Sequence, residues 1–153
     1  MNFRNMIGFR LVQLIGLALL AGSAALAEEL PSQSSESGGV TISVKPVDVS
    51  PTAASWSFEV SLSAGNQELR DDLARTAYIL NRAAKTREAP LAWKGDAAGG
   101  RQRKGILSFK PLTPQPTAVE LRIQRVGEKA PRVFRWDLNC QCGDPKMHAS
   151  HAS

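Results

Sequence analysis

Cysteine and histidine are almost missing from this chain of 153 residues. There are two of each, and all four fall in one short segment, Cys140, Cys142, His148 and His151. The cysteines are one residue apart and follow the last predicted strand, so they cannot staple a core together. With no histidine elsewhere, a Ser/His/Asp set inside a fold is excluded. No other acid/base or nucleophile set stands out, so the chain reads as non-catalytic. A large excess of one sign of charge is also lacking. Lys and Arg number 19 against 14 Asp and Glu. Removing Arg4 and Arg10 leaves 17 against 14, a net of +3, which does not argue for nucleic acid. Internal repeats are lacking, and no glycine pattern opens a helix as a phosphate-binding loop would.

Long apolar runs are lacking too, with one exception at the start. Arg4 and Arg10 precede an apolar stretch, Leu11–Leu20, and Ala25-Leu26-Ala27 forms a small-x-small cleavage site. The stretch is short for a bilayer span and is broken by Gly16 and Gln13. Residues 1–27 are therefore expected to be a cleaved signal peptide. No twin-arginine pair and no cysteine near the cleavage site point to other export routes or to a lipid anchor. The mature chain is expected in the periplasm or secreted, with no stable membrane span after cleavage.

About 125 residues then remain, enough for one domain with one core. Residues 28–39 are polar and rich in serine and glycine, which predicts a flexible leader. From there to residue 138 the chain reads as short strands. Val40–Val44, Ser55–Leu62, Ala118–Gln124 and Val133–Leu138 alternate apolar and polar residues, the period of a sheet with one wet face. Gly105–Phe109 is a further strand, and Lys45–Thr52 reads as an irregular edge. Residues 67–87 admit two readings. One is a helical turn over Leu69–Ala74, a strand over Thr76–Asn81 and another over Ala89–Trp93; the other is a single helix over Gln67–Ala84. Lys110–Pro116 is a proline-stiffened crossover. About seven strands with turn signals every 8–12 residues give an all-β chain, a two-sheet antiparallel sandwich.

The stretch Trp93–Phe109, WKGDAAGGRQRKGILSF, organises this pattern. With Trp93, Gly95, Asp96, Gly99, Gly100, Arg103, Gly105, Leu107 and Phe109, it resembles a group of small exported immunoglobulin-like domains carrying W-x-G-D-x-x-G-G-H-H-R-x-G-x-L-x-F. The ending Phe134, Trp136, Asp137, Leu138 is also similar to that group. The resemblance implies an immunoglobulin-like β-sandwich over 40–138 and brings no activity with it. Arg101 and Gln102 stand where the pattern has two histidines, so any metal site built on those is not implied here.

Two regions could carry function. The tail, residues 139–153, gathers Cys140, Cys142, Met147, His148 and His151. Thiolate and thioether suit Cu(I), and thiolate with imidazole suits Zn(II). The same cysteines could instead form a short-loop disulfide, pair with another protein, or belong to an inert tail. The second region is the basic loop Arg101, Arg103, Lys104, a candidate docking site or simply a solvated loop. Asp71-Asp72 reads as a solvated turn, Asp96 as a carboxylate capping loop N–H groups, and Trp56, Trp93 and Trp136 as core. The expected function is an exported, non-catalytic binding protein taking copper or zinc through its tail, with a metal-handling partner. The alternative is a structural or protein-interaction module that docks to an envelope protein and carries a tail disulfide.

Overall fold

The computed structural model describes residues 29–138. Within them the chain is all-β, with two antiparallel sheets and one four-residue helical turn. In chain order the elements are β1 (Gln33–Ser37), β2 (Val40–Asp48), β3 (Trp56–Ala64), α1 (Leu73–Thr76), β4 (Ala77–Asn81), β5 (Thr86–Glu88), β6 (Ala92–Gly95), β7 (Gln102–Phe109), β8 (Ala118–Ile123) and β9 (Arg132–Asp137). The five-stranded sheet runs β1-β2-β3-β7-β6, and the four-stranded sheet runs β5-β4-β8-β9. No helix among the described residues is long and apolar enough to cross a membrane.

Alternation decides which face of each strand is dry. In β3, Trp56, Phe58, Val60 and Leu62 point inward and are buried, while the residues between them face outward. β2, β7, β8 and β9 contribute Ile42, Leu107, Phe109, Leu121, Ile123, Phe134 and Trp136 to the same core. The two sheets meet through aromatic rings. Phe58 lies 5.8 Å from both Phe109 and Trp136, and Phe134 stacks at 6.5 Å on Trp136. Burying each such side chain contributes about 1.5–3 kcal/mol.

Several expectations need correction. Nine strands form where seven were expected, the additional two being β1 and β5. Residues 33–37, expected within a flexible leader, are paired along their whole length with β2. Gly38 and Gly39, with φ of 57° and 75°, make the two-residue hairpin turn that L-residues resist. The strand buries little. It is held by polar contacts that composition does not reveal. Gln33 donates to the Arg135 carbonyl and accepts from the Arg135 N–H. The Trp136 indole N–H donates to Pro31 O at 2.7 Å. The segment thus ties the five-stranded sheet to β9.

β2 also runs on through the expected irregular edge to Asp48, with a register shift between Pro46 and Asp48. β1 ends opposite Val44, so at Pro46 the strand is paired on one side only, and the missing N–H is tolerated there. The single helix over 67–84 does not form, since only Leu73–Thr76 is helical. The expected strand Ala89–Trp93 starts later, as β6 at Ala92. β5 turns back to pair antiparallel with β4, then the chain crosses at Pro90 and β6 pairs with β7 in the other sheet.

Candidate functional site

The Trp93–Phe109 stretch supplies most of β6, a glycine-rich loop and β7, and its distinctive residues serve the fold. Gly95 and Gly105 face each other across β6 and β7. A Cβ on either would come within 2.4–2.7 Å of the opposite backbone, which no rotamer can relieve. Trp93 closes over Gly105, its indole N–H donating to Asp96 O at 3.0 Å. Asp96 caps the loop as expected, accepting the Lys104 N–H at 2.9 Å. Gly99 and Gly100 have φ of 115° and 72°. They allow the loop to lie against Leu69, which donates to Gly100 O and accepts from Gly99 N–H.

The expected docking loop is accordingly split. Arg101 is exposed, and Lys104 lies on the outer face, paired with Glu59 at 3.2 Å. Arg103 is buried, contrary to a surface role. Its guanidinium lies 5.6 Å from the Trp93 ring, donates to Asp71 O at 2.6 Å and reaches Asp96 O. Arg103 alternates inward with Leu107 and Phe109, so it must find its partners inside. Asp71 is likewise not a solvated turn. Its carboxylate accepts from Arg125 at 3.1 Å and is almost wholly buried. Arg125 lies 3.6 Å from Glu128, which pairs with Arg132 at 2.6 Å. Arg132 then donates to the carbonyls of Ser35, Ser37 and Val40. The hydrogen bonds from Arg132 hold the Glu128 carboxyl below its usual range despite burial. The ion pairs form a structural clamp, with every partner consumed in joining loops.

A different arrangement covers the outer face of the four-stranded sheet. The register aligns Tyr78 with Arg122 and Glu120 with Arg135, and brings Arg87 beside Leu80. Glu120 sits at the centre, 3% exposed although its strand position faces outward. Arginines cover it. Arg82 donates to Oε2 at 2.6 Å, Arg122 Nε to Oε1 at 2.7 Å, and Arg135 approaches to 3.8 Å. Burial pushes the Glu120 carboxyl up, and the hydrogen bonds from Arg82 and Arg122 more than offset this, holding it below the usual range. The bond to Glu120 raises Arg122 above its ordinary value. Arg87 lies 4.8 Å over the Tyr78 ring. Four arginines thus share one face with Glu120 and Asp137, a net of +2, since 4 − 2 = 2. Arg82, Arg87 and Arg135 have their heads in solvent. One carboxylate fixes two guanidiniums by hydrogen bonds and draws in a third, Arg135, which also lies 3.9 Å from Asp137, leaving cations already ordered for a further anion.

The other sheet presents a contrasting outer face. Ser43, Ser61, Ser63 and Thr41 line a shallow depression of about 300 Å³ with Asp96, Gln102 and Lys104. Its lysines are largely matched, Lys45 with Glu29 and Lys104 with Glu59.

Among the described residues no group of three or more His, Cys, Asp or Glu could hold a metal ion. The tail donors Cys140, Cys142, Met147, His148 and His151 lie outside the described residues. The arginine face was not singled out from sequence. Alternation alone puts Arg122 and Arg135 outward on β8 and β9, but only the pairing of β4, β8 and β9 gathers them around Glu120.

Comparison with known protein families, characterised proteins and solved structures finds no match to this chain.

Proposed function

We propose that this chain is an exported, non-catalytic binding module with an immunoglobulin-like sandwich, docking to the cell envelope through the arginine face. The strand order supports the fold reading. β2-β3-β7-β6 against β5-β4-β8-β9 follows the A-B-E-D and C′-C-F-G order of immunoglobulin-like sandwiches. The signal-like residues 1–27 support export. The observation that carries the docking reading is the set of Arg82, Arg122 and Arg135 ordered around a single carboxylate on a solvent-facing sheet. Buried networks elsewhere satisfy each charge internally; this one leaves cationic heads in water.

The test is sedimentation of the mature chain with envelopes from its own source at low and high salt. Arg82→Glu with Arg135→Glu is expected to lose binding, and Lys94→Glu with Lys104→Glu on the other sheet to retain it. Equal binding by both double variants would overturn the reading.

The tail supports a second reading. Two thiols, a thioether and two imidazoles between Cys140 and His151 suit Cu(I) or Zn(II). Native mass spectrometry should find a metal-sized increment that Cys140→Ser with Cys142→Ser removes. An unchanged increment in that variant refutes the cysteines as ligands, and no increment in the wild type with both thiols blocked to alkylation refutes metal binding and favours a tail disulfide.

A further inference from the structure

We infer that the outer face of the β5-β4-β8-β9 sheet binds the phosphate headgroups of an anionic lipid surface; the inference rests on the arginine face being the docking site. Shape argues first. Arg87, Arg122 and Arg135 stand on β5, β8 and β9, and Arg82 follows the end of β4 between them, across about 15 Å of sheet. Cations spread over a flat sheet engage together only with a partner that is itself flat and multiply charged.

The neighbouring chemistry removes the competing occupants. A peptide adding as a strand needs a free edge. At β9 the Arg135 N–H and carbonyl are already taken by Gln33, and β5 offers only Thr86–Glu88. A sugar chain would call for an open aromatic platform. The ring on this face, Tyr78, lies under the Arg87 guanidinium at 4.8 Å. A lipid surface needs neither. It also explains Val133, half-exposed and aligned with Arg122. An aliphatic side chain among arginines on a wet face suits the boundary between headgroups and acyl chains. Glu120 acts as a positioning residue: buried and accepting from Arg82 and Arg122, it holds their heads in the plane of the face.

The test uses the mature chain beginning at Glu28, because the apolar segment before it would itself enter bilayers. Co-sedimentation is measured with phosphatidylcholine vesicles, with and without one-third phosphatidylglycerol, and with soluble polyphosphate as competitor. Binding is expected only to the anionic vesicles and is expected to weaken steeply with salt. Each arginine near such a surface is worth about five-fold in affinity, so losing two should reduce binding about thirty-fold. Arg82→Gln with Arg135→Gln is the variant to use, since both heads are at least half exposed and the core is untouched. Val133→Ser, which removes the apolar side chain without adding charge, should weaken vesicle binding without altering binding to polyphosphate. Circular dichroism and thermal melting confirm that each variant is folded. Binding to envelopes or polyphosphate without binding to anionic vesicles overturns the lipid assignment and leaves the docking reading standing. Wild-type affinity of the double Gln variant for vesicles and envelopes alike overturns both.

Discussion

Arg132→Met should detach the first hairpin and destabilise the whole domain. Arg132 is 4% exposed and makes five hydrogen bonds, three to the carbonyls of Ser35, Ser37 and Val40 and two to Glu128. Methionine keeps most of the aliphatic stem and removes the charge. Breaking a buried ion pair from one side destabilises by about 3–5 kcal/mol, because the remaining charge is left without its partner. Here the lower end applies, since Glu128 retains Arg125 at 3.6 Å and is 17% exposed to water. About 3 kcal/mol is a large share of the 5–15 kcal/mol that holds a domain of this size. It should lower Tm by about 10–15 °C. Urea unfolding followed by tryptophan fluorescence measures the loss. Hydrogen exchange should show the amides of β1 losing protection before those of β3. Adding Glu128→Gln should recover part of the loss, because the lone buried carboxylate is then gone. A loss below about 1 kcal/mol, with β1 as protected as in the wild type, would refute the view that this arginine clamps the hairpin.

Gly105→Ala should cost about 1–3 kcal/mol, the usual penalty of overpacking, because its Cβ would meet Gly95 Cα, Lys94 O and the Trp93 ring at 2.7 Å. Equilibrium unfolding measures it, and β6 amides should exchange faster; an unchanged midpoint would contradict the close approach. Stability should also depend on acid in a defined direction. Glu120 and Glu128 are both held below their ordinary 4.5, so their contribution is complete above that pH and is lost as pH falls through the depressed values. Melting temperature should therefore hold from neutral pH down to that range and fall below it. Glu120→Gln should be less stable at neutral pH and show a shallower acid limb; an identical limb would remove Glu120 from the account. Gln33→Ala should expose the backbone of β9 at Arg135, seen as faster exchange of the Arg135 amide, with a small change in global stability.

Much of the fold was legible because sheet faces impose a period of two. Trp56, Phe58, Val60 and Leu62 in β3, and Phe134 and Trp136 in β9, fall on the dry face as alternation requires. The crossover at Lys110–Pro116 does carry the chain from one sheet to the other. Legibility failed where stability comes from polar contacts far apart in sequence. β1 lacks an apolar face, and Arg132, Arg135 and Trp136 hold it and the residues just before it from about a hundred residues away. Arg103 read as a loop cation because its partners, Asp71 O and the Trp93 ring, are set by how the loop folds back. The tail donors stand apart from both outcomes, since they lie outside the described residues.

By itself, the sequence determined that the chain is all-β, which strand faces are buried, and that Asp96 caps a glycine-rich loop. These are local matters, settled by the alternation of side chains along a strand and by the conformational freedom of glycine. Only the tertiary structure decided that residues 33–37 are a strand, that Arg103 is internal, and that Arg82, Arg122 and Arg135 surround Glu120. Those outcomes depend on register. Pairing β4 with β8 and β8 with β9 brings together charges up to 53 positions apart, from Arg82 to Arg135. No local pattern records which carboxylate they will share.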